Sequence, residues 1–295
     1  MSAPACLAVT GATGFTGSAT IPRLRARYPD VPIRALVRPD SVTTVLETHG
    51  VTSVVGDLWD PASLDRLLEG ADTLVNIASL GFDWVDPLMD AVARSTVLKR
   101  GVFVSTTAIL TSLPVRSKPK RQHGERRVQE SGLAWTILRP TMIYGTPADR
   151  NIIRLIRLID RSPVIPLIAP RALQQPVHVE DVAAAIVDAI DAPGSVGRAF
   201  AISGAAPLTF DALVRETAAA LGKRRAVLSV PLGPAKLAVR AYNQLVTRAR
   251  LTVEQLDRIE EDKAFPWADA HEAFGYAPRT FAEGVRQEVA LYRRR

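Results

Sequence analysis

The stretch Val9-Thr10-Gly11-Ala12-Thr13-Gly14-Phe15-Thr16-Gly17 decides how this chain folds. It closes a short apolar run, Ala5–Thr10, that reads as a buried strand. It precedes a helical pattern in which Ile21, Leu24 and Tyr28 recur on one face. Its glycines stand at the spacing G-x-x-G-x-x-G. Gly11 permits a tight turn, Gly14 lets a ligand's pyrophosphate approach the backbone, and Gly17 lets the helix pack closely on the strand. A helix that begins there offers free N–H groups and a partial positive charge. Strand, loop and helix together predict a phosphate-binding turn of the dinucleotide type.

Outward from this turn the first half alternates short apolar runs with helical periodicity. Strands are expected at Ile33–Val37, Val51–Val55, Thr73–Ile77, Gly101–Ser105 and Ala134–Arg139. Asp60 before Pro61 has the pattern of an N-cap with proline at the first helical position. Repeated strand–helix–strand units with continuously apolar strands imply a parallel sheet covered on both faces, so the class is α/β with a doubly wound, Rossmann-type sheet. After Tyr144 the rhythm changes, with prolines at 147, 163, 166 and 170 around one helix, about Asn151–Asp160. A strand at Gln175–Val177, a helix near Glu180–Ala189 and a strand at Ala199–Ile202 follow. The remainder reads as helices at Thr209–Leu221, Pro234–Val246, Thr252–Glu261 and Thr280–Arg294, with capping-box spacing at Thr252/Gln255 and Thr280/Glu283. The expected division is a nucleotide domain at 1–147, with 174–203 returning to it, and a smaller, mostly helical cap at 148–173 and 204–295.

At 295 residues, 47% hydrophobic and 23% charged, the composition is that of a globular protein with a full core. No window approaches the roughly 18 apolar residues of a membrane span, and no basic-then-apolar leader precedes Ala5, so a cytoplasmic location is expected. The single cysteine, Cys6, has no internal disulfide partner and falls in the first apolar run. The formal net charge of +7 comes from scattered arginines. Without zinc spacing or an RNA-binding signature, it suits solvated helix faces and a phosphate-bearing ligand better than nucleic acid. No metal site is expected.

The glycine string resembles that of the extended and atypical short-chain dehydrogenase/reductase superfamily, which includes sugar-nucleotide epimerases and dehydratases and the NmrA-like proteins. The resemblance continues through Gly56-Asp57-Leu58, Ser131–Pro140, Pro176–Ala183 and the tail Phe274–Gly284. It implies that Gly11, Thr13, Gly14, Phe15, Thr16 and Gly17 hold the dinucleotide's phosphates. It further implies that Asp57 and Leu58 line the adenine site and that Ala78 and Ser79 run beside the ribose. Pro140 and Thr141 are implied beside the nicotinamide. Phe82 and Trp84, just beyond Ser79, are candidates for a substrate wall or for ordinary packing. At the end of the second strand an acidic residue would accept the ribose hydroxyls of NAD, whereas a basic one pairs with the 2′-phosphate of NADP. Arg38 stands there, so NADP is the expected cofactor, with Asp40 keeping NAD open.

Hydride enzymes of this superfamily use a tyrosine and, four residues later, a lysine that lowers the phenol's pKa. A hydroxyl from the end of the fifth strand assists, and Thr107 matches it. Counting back by family spacing from Glu125 reaches Arg121 and Ser117. No Tyr-x-x-x-Lys occurs anywhere in the chain. Arg121 supplies charge but cannot exchange a proton at neutral pH, and Ser117 is a poor acid. Lys118, Lys120 and His123 are the nearby substitutes. His178 and Asp181 match the family's motif at the cap, in expected structural roles. Two functions remain open: an NAD(P)-dependent oxidoreductase or epimerase-like enzyme acting on a small, nucleotide-linked substrate, and a non-catalytic NADP-binding sensor of the NmrA-like kind.

Overall fold

The computed structural model describes residues 3–113, 115, 117–234 and 260–294. Its centre is a seven-stranded parallel sheet built from β1 (Leu7–Thr10), β2 (Ile33–Val37), β3 (Thr52–Val55), β4 (Thr73–Asn76), β5 (Arg100–Val104), β6 (Ala134–Pro140) and a later strand, Arg198–Ile202. In space the order is Arg198–Ile202, β6, β5, β4, β1, β2, β3, every neighbouring pair parallel. The order reverses between β1 and β4. With right-handed crossovers such a reversal sends helices to both faces and opens a crevice beyond the carboxyl ends of those two strands. Helices α1 (Phe15–Arg27), α2 (Thr44–Thr48), α3 (Pro61–Leu68), α4 (Val85–Arg94) and α5 (Lys118–Gln129) follow β1 to β5 in turn. Asp60 caps α3, accepting from the N–H groups of Ala62 and Ser63, and Pro61 takes the first position. One core joins the sheet to α3 and α4 through Leu64, Leu67, Leu74, Leu88 and Phe103, all fully buried. Cys6 lies just before β1 and is half-buried, not within the strand.

The chain groups into two compact units. The first holds residues 1–141, 179–202 and 266–277; the second holds 142–178, 203–265 and 278–295. Residues 142–147, 174–178 and 203 were expected in the nucleotide half, yet they group with the second unit, and residues 266–277, expected in the cap, group with the first. There β7 (Ile143–Tyr144) pairs with β10 (Val177–His178), and Tyr144 is buried among Ile156, Leu213, Phe281 and Val285. The expected strand at 175–177 is two short strands, β9 (Leu173–Gln174) and β10, split at Gln175-Pro176 where proline has no N–H to donate. Between β7 and β9 come α6 (Ile152–Arg161) and β8 (Val164–Ile168). The helices expected at 234–246 and 252–261, with the Thr252/Gln255 box, fall almost wholly outside the described residues. The Thr280/Glu283 capping box is present at the start of the final helix, Phe281–Arg293.

Candidate functional site

The turn after β1 is built from glycines under different constraints. Gly11 has φ +71°, and a Cβ there would lie 2.8 Å from the Ala78 nitrogen. Only glycine meets both demands. The Gly14 N–H donates to the Gly11 carbonyl at 3.1 Å, closing the turn, and Gly14 then caps α1 without any side chain doing so. A Cβ on Gly17 would collide with the Gly11 and Ala12 backbone, so this glycine lets α1 sit against the loop. No acidic residue occupies the first turn of α1, and no side chain caps it, so its partial positive charge suits an anion. Across the crevice the Thr10 hydroxyl donates to Asn76 Oδ1 at 2.6 Å, and Asn76 Nδ2 donates to the Ala78 carbonyl at 2.8 Å. Both side chains are fully buried, so this pair fixes the β4–α4 turn against the phosphate loop.

Directly over that loop is a cavity of about 300 Å³. Of the expected cofactor residues it brings together Gly11, Thr13, Gly14, Arg38, Asp57, Leu58 and Ala78. Phe15, Thr16 and Gly17 form the first turn of α1 instead of lining the cavity, and Ser79 lies one residue past it. Pro140 ends β6, and the Thr141 N–H donates to the Ile202 carbonyl at 3.0 Å. Asp57 Oδ1 accepts from the Trp59 N–H at 2.9 Å, a turn that swings Trp59 to the cavity. Ser41, Trp59 and Trp84 also line it, and sequence reasoning assigned none of them to the cofactor. Trp84 is 7% exposed and packs on α3 and α4; the substrate wall expected of Phe82 and Trp84 divides, since Phe82 stands 59% exposed. A larger open depression of about 480 Å³ between α3 and α4 has no phosphate turn and carries the surface pair Arg94–Asp65.

At the ends of β5 and β6 a nearly buried carboxylate organises the floor. Glu125 of α5, 3% exposed, accepts from the Ser105 hydroxyl at 2.6 Å and from Arg139 Nε and Nη2 at 3.0 and 2.5 Å. A fork of this kind is strong because both ions are paired and hydrogen-bonded. It locks α5 to both strands. Thr106 caps a short turn of helix, and the Thr107 hydroxyl, 7% exposed, donates to the Pro140 carbonyl at 3.3 Å. Ser117 stands at the start of α5 without capping it through its side chain, and the Arg121 N–H donates to the Ser117 carbonyl, so the two stand one helical turn apart. The substitutes are committed elsewhere: Lys118 Nζ donates to the Thr111 carbonyl at 2.6 Å, Lys120 pairs with Asp83 at 2.8 Å, and His123 meets Asp86 at 2.9 Å. Arg121 extends along Gly81 in the β4–α4 turn, its Cγ 3.0 Å and its Nε 3.3 Å from where a Cβ would be. His178, in the second unit, is buried edge-on against Tyr144, and Asp181 sits in the first turn of the helix Val179–Asp191.

A parallel sheet with this strand order and a glycine turn at its switch point is the arrangement of a nucleotide-binding protein of the Rossmann type. The family described as NAD(P)H-binding matches residues 11–193, and the chain belongs to it. Its structural neighbours are found in the epimerase/dehydratase and atypical short-chain dehydrogenase superfamily. The ceramide reductase of Caulobacter vibrioides is 34% identical over 191 residues, 61% of this chain and 59% of that protein. The (4-alkanoyl-5-oxo-2,5-dihydrofuran-3-yl)methyl phosphate reductase of Streptomyces griseus is 32% identical over 238 residues, 79% of this chain and 77% of that protein. The UDP-glucose 4-epimerase of Thermus thermophilus, solved with NAD, shares the fold at a TM-score of 0.72 over 97% of this chain and 98% of its own, with 20% identity. No helix among the described residues is long and apolar enough to cross a membrane.

Proposed function

We propose that this protein is an NAD(P)H-dependent reductase of small molecules that prefers NADPH and works in the cytoplasm. The observation that carries the reading is the cavity over the phosphate turn with Arg38 at its rim, where β2 ends. The residues fit the cofactor: glycine-only backbone at Gly11, an uncapped helix start for the pyrophosphate, and a guanidinium for the 2′-phosphate. In this reading Asp57 and Leu58 hold the adenine, Ala78 and Ser79 border the ribose, and Pro140 and Thr141 run beside the nicotinamide. Thr107, Ser117 and Arg121 stand at the reacting end. When bound, the reduced cofactor supplies a hydride. Reduction is favoured over epimerisation, because epimerisation requires one group to take a proton and give it back, and neither Ser117 nor Arg121 does so at neutral pH. The two relatives described above are both named as reductases. Ser117 at the phenol position supports the second reading, a protein that binds NADPH without turning it over. Trp59 and Trp84 line the cavity, so NADPH binding should quench tryptophan emission and raise its own emission by energy transfer. The same mixture should lose absorbance at 340 nm only when a suitable acceptor is added. Quenching with no consumption across acceptor classes selects the sensor; no quenching at all removes both readings.

A further inference from the structure

Two tryptophans line the cavity over the phosphate turn, and they are held there in opposite ways. Trp84, 7% exposed, belongs to the core with α3 and α4, so packing fixes its ring. Trp59 is 58% exposed, yet the backbone around it is pinned. Its own N–H donates to Asp57 Oδ1 at 2.9 Å, and the Asp60 N–H donates to the Asp57 carbonyl at 3.2 Å. The Asp60 carboxylate in turn caps α3 through the N–H groups of Ala62 and Ser63. Gly56 draws the same turn close to α3, since a Cβ there would collide with the Ser63 side chain. The Gly56 N–H also donates to the Val37 carbonyl at 2.9 Å, which ties the turn to the end of β2, next to Arg38. Every one of these bonds comes from the main chain, Asp57 or Asp60, so the turn itself makes no use of an indole. A large flat ring, left mostly in water on a rigid turn, gains when a ligand covers it and loses little freedom in doing so.

We infer that Trp59 is the adenine platform of this site, its indole face stacked on the base of the dinucleotide. The assignment rests on the reading in which the cofactor binds here with Asp57 and Leu58 at its adenine. It divides the cavity by chemistry. Gly11 and Gly14 offer backbone to the pyrophosphate, and Arg38 and Ser41 bring a cation and a hydroxyl to the side where β2 ends. The remaining wall is Leu36 and Leu58 with Trp59, apolar and aromatic, which suits a flat heteroaromatic ring and not a sugar or a phosphate. One turn then reads the base twice: the Asp57 carboxylate meets its polar edge, and the ring two residues on covers its face. Stacking on an aromatic side chain strengthens the binding of a base by about tenfold or more. The adenosine half therefore binds by itself, and 2′,5′-ADP, which has no nicotinamide, is a sufficient ligand.

Isothermal titration calorimetry of the whole chain with 2′,5′-ADP and with NADPH tests this. Trp59→Ala should weaken both ligands by the same factor, about tenfold, because both carry the base. Trp59→Phe should stay within about threefold of wild type, whereas Trp59→Leu, apolar but without a π face, should lose as much as Trp59→Ala. All three variants should melt near the wild-type temperature, because the indole is mostly exposed. A second readout is independent of affinity. Saturating 2′,5′-ADP should quench the tryptophan emission of wild type, and most of that quenching should vanish in Trp59→Phe at saturation. Unchanged 2′,5′-ADP affinity in Trp59→Ala, equal affinities in Trp59→Leu and Trp59→Phe, or quenching that survives in Trp59→Phe overturns the inference and leaves the cofactor reading standing. A wild type that binds NADPH and not 2′,5′-ADP does the same. Wild-type protein that binds neither ligand overturns the cofactor reading itself, and the inference falls with it.

Discussion

Arg38 shows how much one side chain decides when it stands at a strand end. Strand β2 delivers it to the rim of the cavity, where an acidic residue would repel a 2′-phosphate and a guanidinium grips one in two places. The side chain is exposed, so solvent screens the pair and the effect is modest. NADPH should bind about tenfold more tightly than NADH, roughly 1.4 kcal/mol, and Arg38→Glu should reverse the order. Fluorescence titration of both cofactors against both proteins measures this, and equal affinities in the wild type would discard the NADP preference. Arg38 was legible in the sequence because its place follows from counting along an apolar run. Trp59 was not, because it reaches the cavity through the side-chain turn made by Asp57, three-dimensional information that no periodicity records.

At the scale of elements, the phosphate turn is legible because its glycines answer to backbone geometry, which leaves a fixed spacing behind. The three do different things, and substitution should separate them. Gly14 has φ −76°, and a Cβ there would stand 3.2 Å from the Gly11 oxygen, tight but tolerable. Gly14→Val should therefore melt near the wild-type temperature and yet gain no thermal stabilisation from NADPH, because its side chain takes the pyrophosphate's space. A methyl at Gly17 meets the loop's own carbonyl, so Gly17→Ala should cost about 1–3 kcal/mol of stability, read as a lowered melting temperature without ligand. A Gly14→Val protein that NADPH still stabilises would move the phosphate site elsewhere. Other elements were hidden for a physical reason. Prolines at 163, 166 and 170 read as breakers, yet β8 contains Pro166 and pairs in parallel with β13 (Ala226–Val230), which follows β11 (Arg198–Ile202) and β12 (Leu208–Thr209). Among the described residues this sheet has two strands, and an edge strand tolerates a missing N–H. The close approach of α5 to the β4–α4 turn, where a Cβ on Gly124 would collide with the Leu80 carbonyl, was equally invisible, since Gly81 and Gly124 are far apart in sequence and neither belongs to a motif.

The chain as a whole carries a formal charge of +7, but the group that most ties its stability to pH is an acid with no exposure at all. Glu288 lies on the inner face of the helix Phe281–Arg293, its Oε2 accepting the Gly145 N–H at 3.1 Å and its carboxyl set beside that of Asp149. Asp149 in turn receives the N–H groups of Asn151 and Ile153 at the start of α6, at 2.5 and 3.1 Å. Burial first, and then the neighbouring carboxyl, push Glu288 up to about 10, so the folded protein holds a proton there that the unfolded chain releases near the ordinary glutamate value. A folded-state pKa raised above the unfolded one favours folding fully at pH below the unfolded value. That contribution is lost as pH rises toward the folded value. Between about pH 5 and pH 9, the free energy of unfolding should therefore fall with pH, by at most about 1.4 kcal/mol per unit from this one group. Glu288→Gln keeps the shape and supplies a neutral amide that can still donate to Asp149 and accept from Gly145. Its urea midpoint should vary less over that range and exceed the wild-type midpoint at pH 9. A wild-type midpoint that stays constant from pH 5 to pH 9, or an unchanged slope in Glu288→Gln, would show that the proton is not held at Glu288.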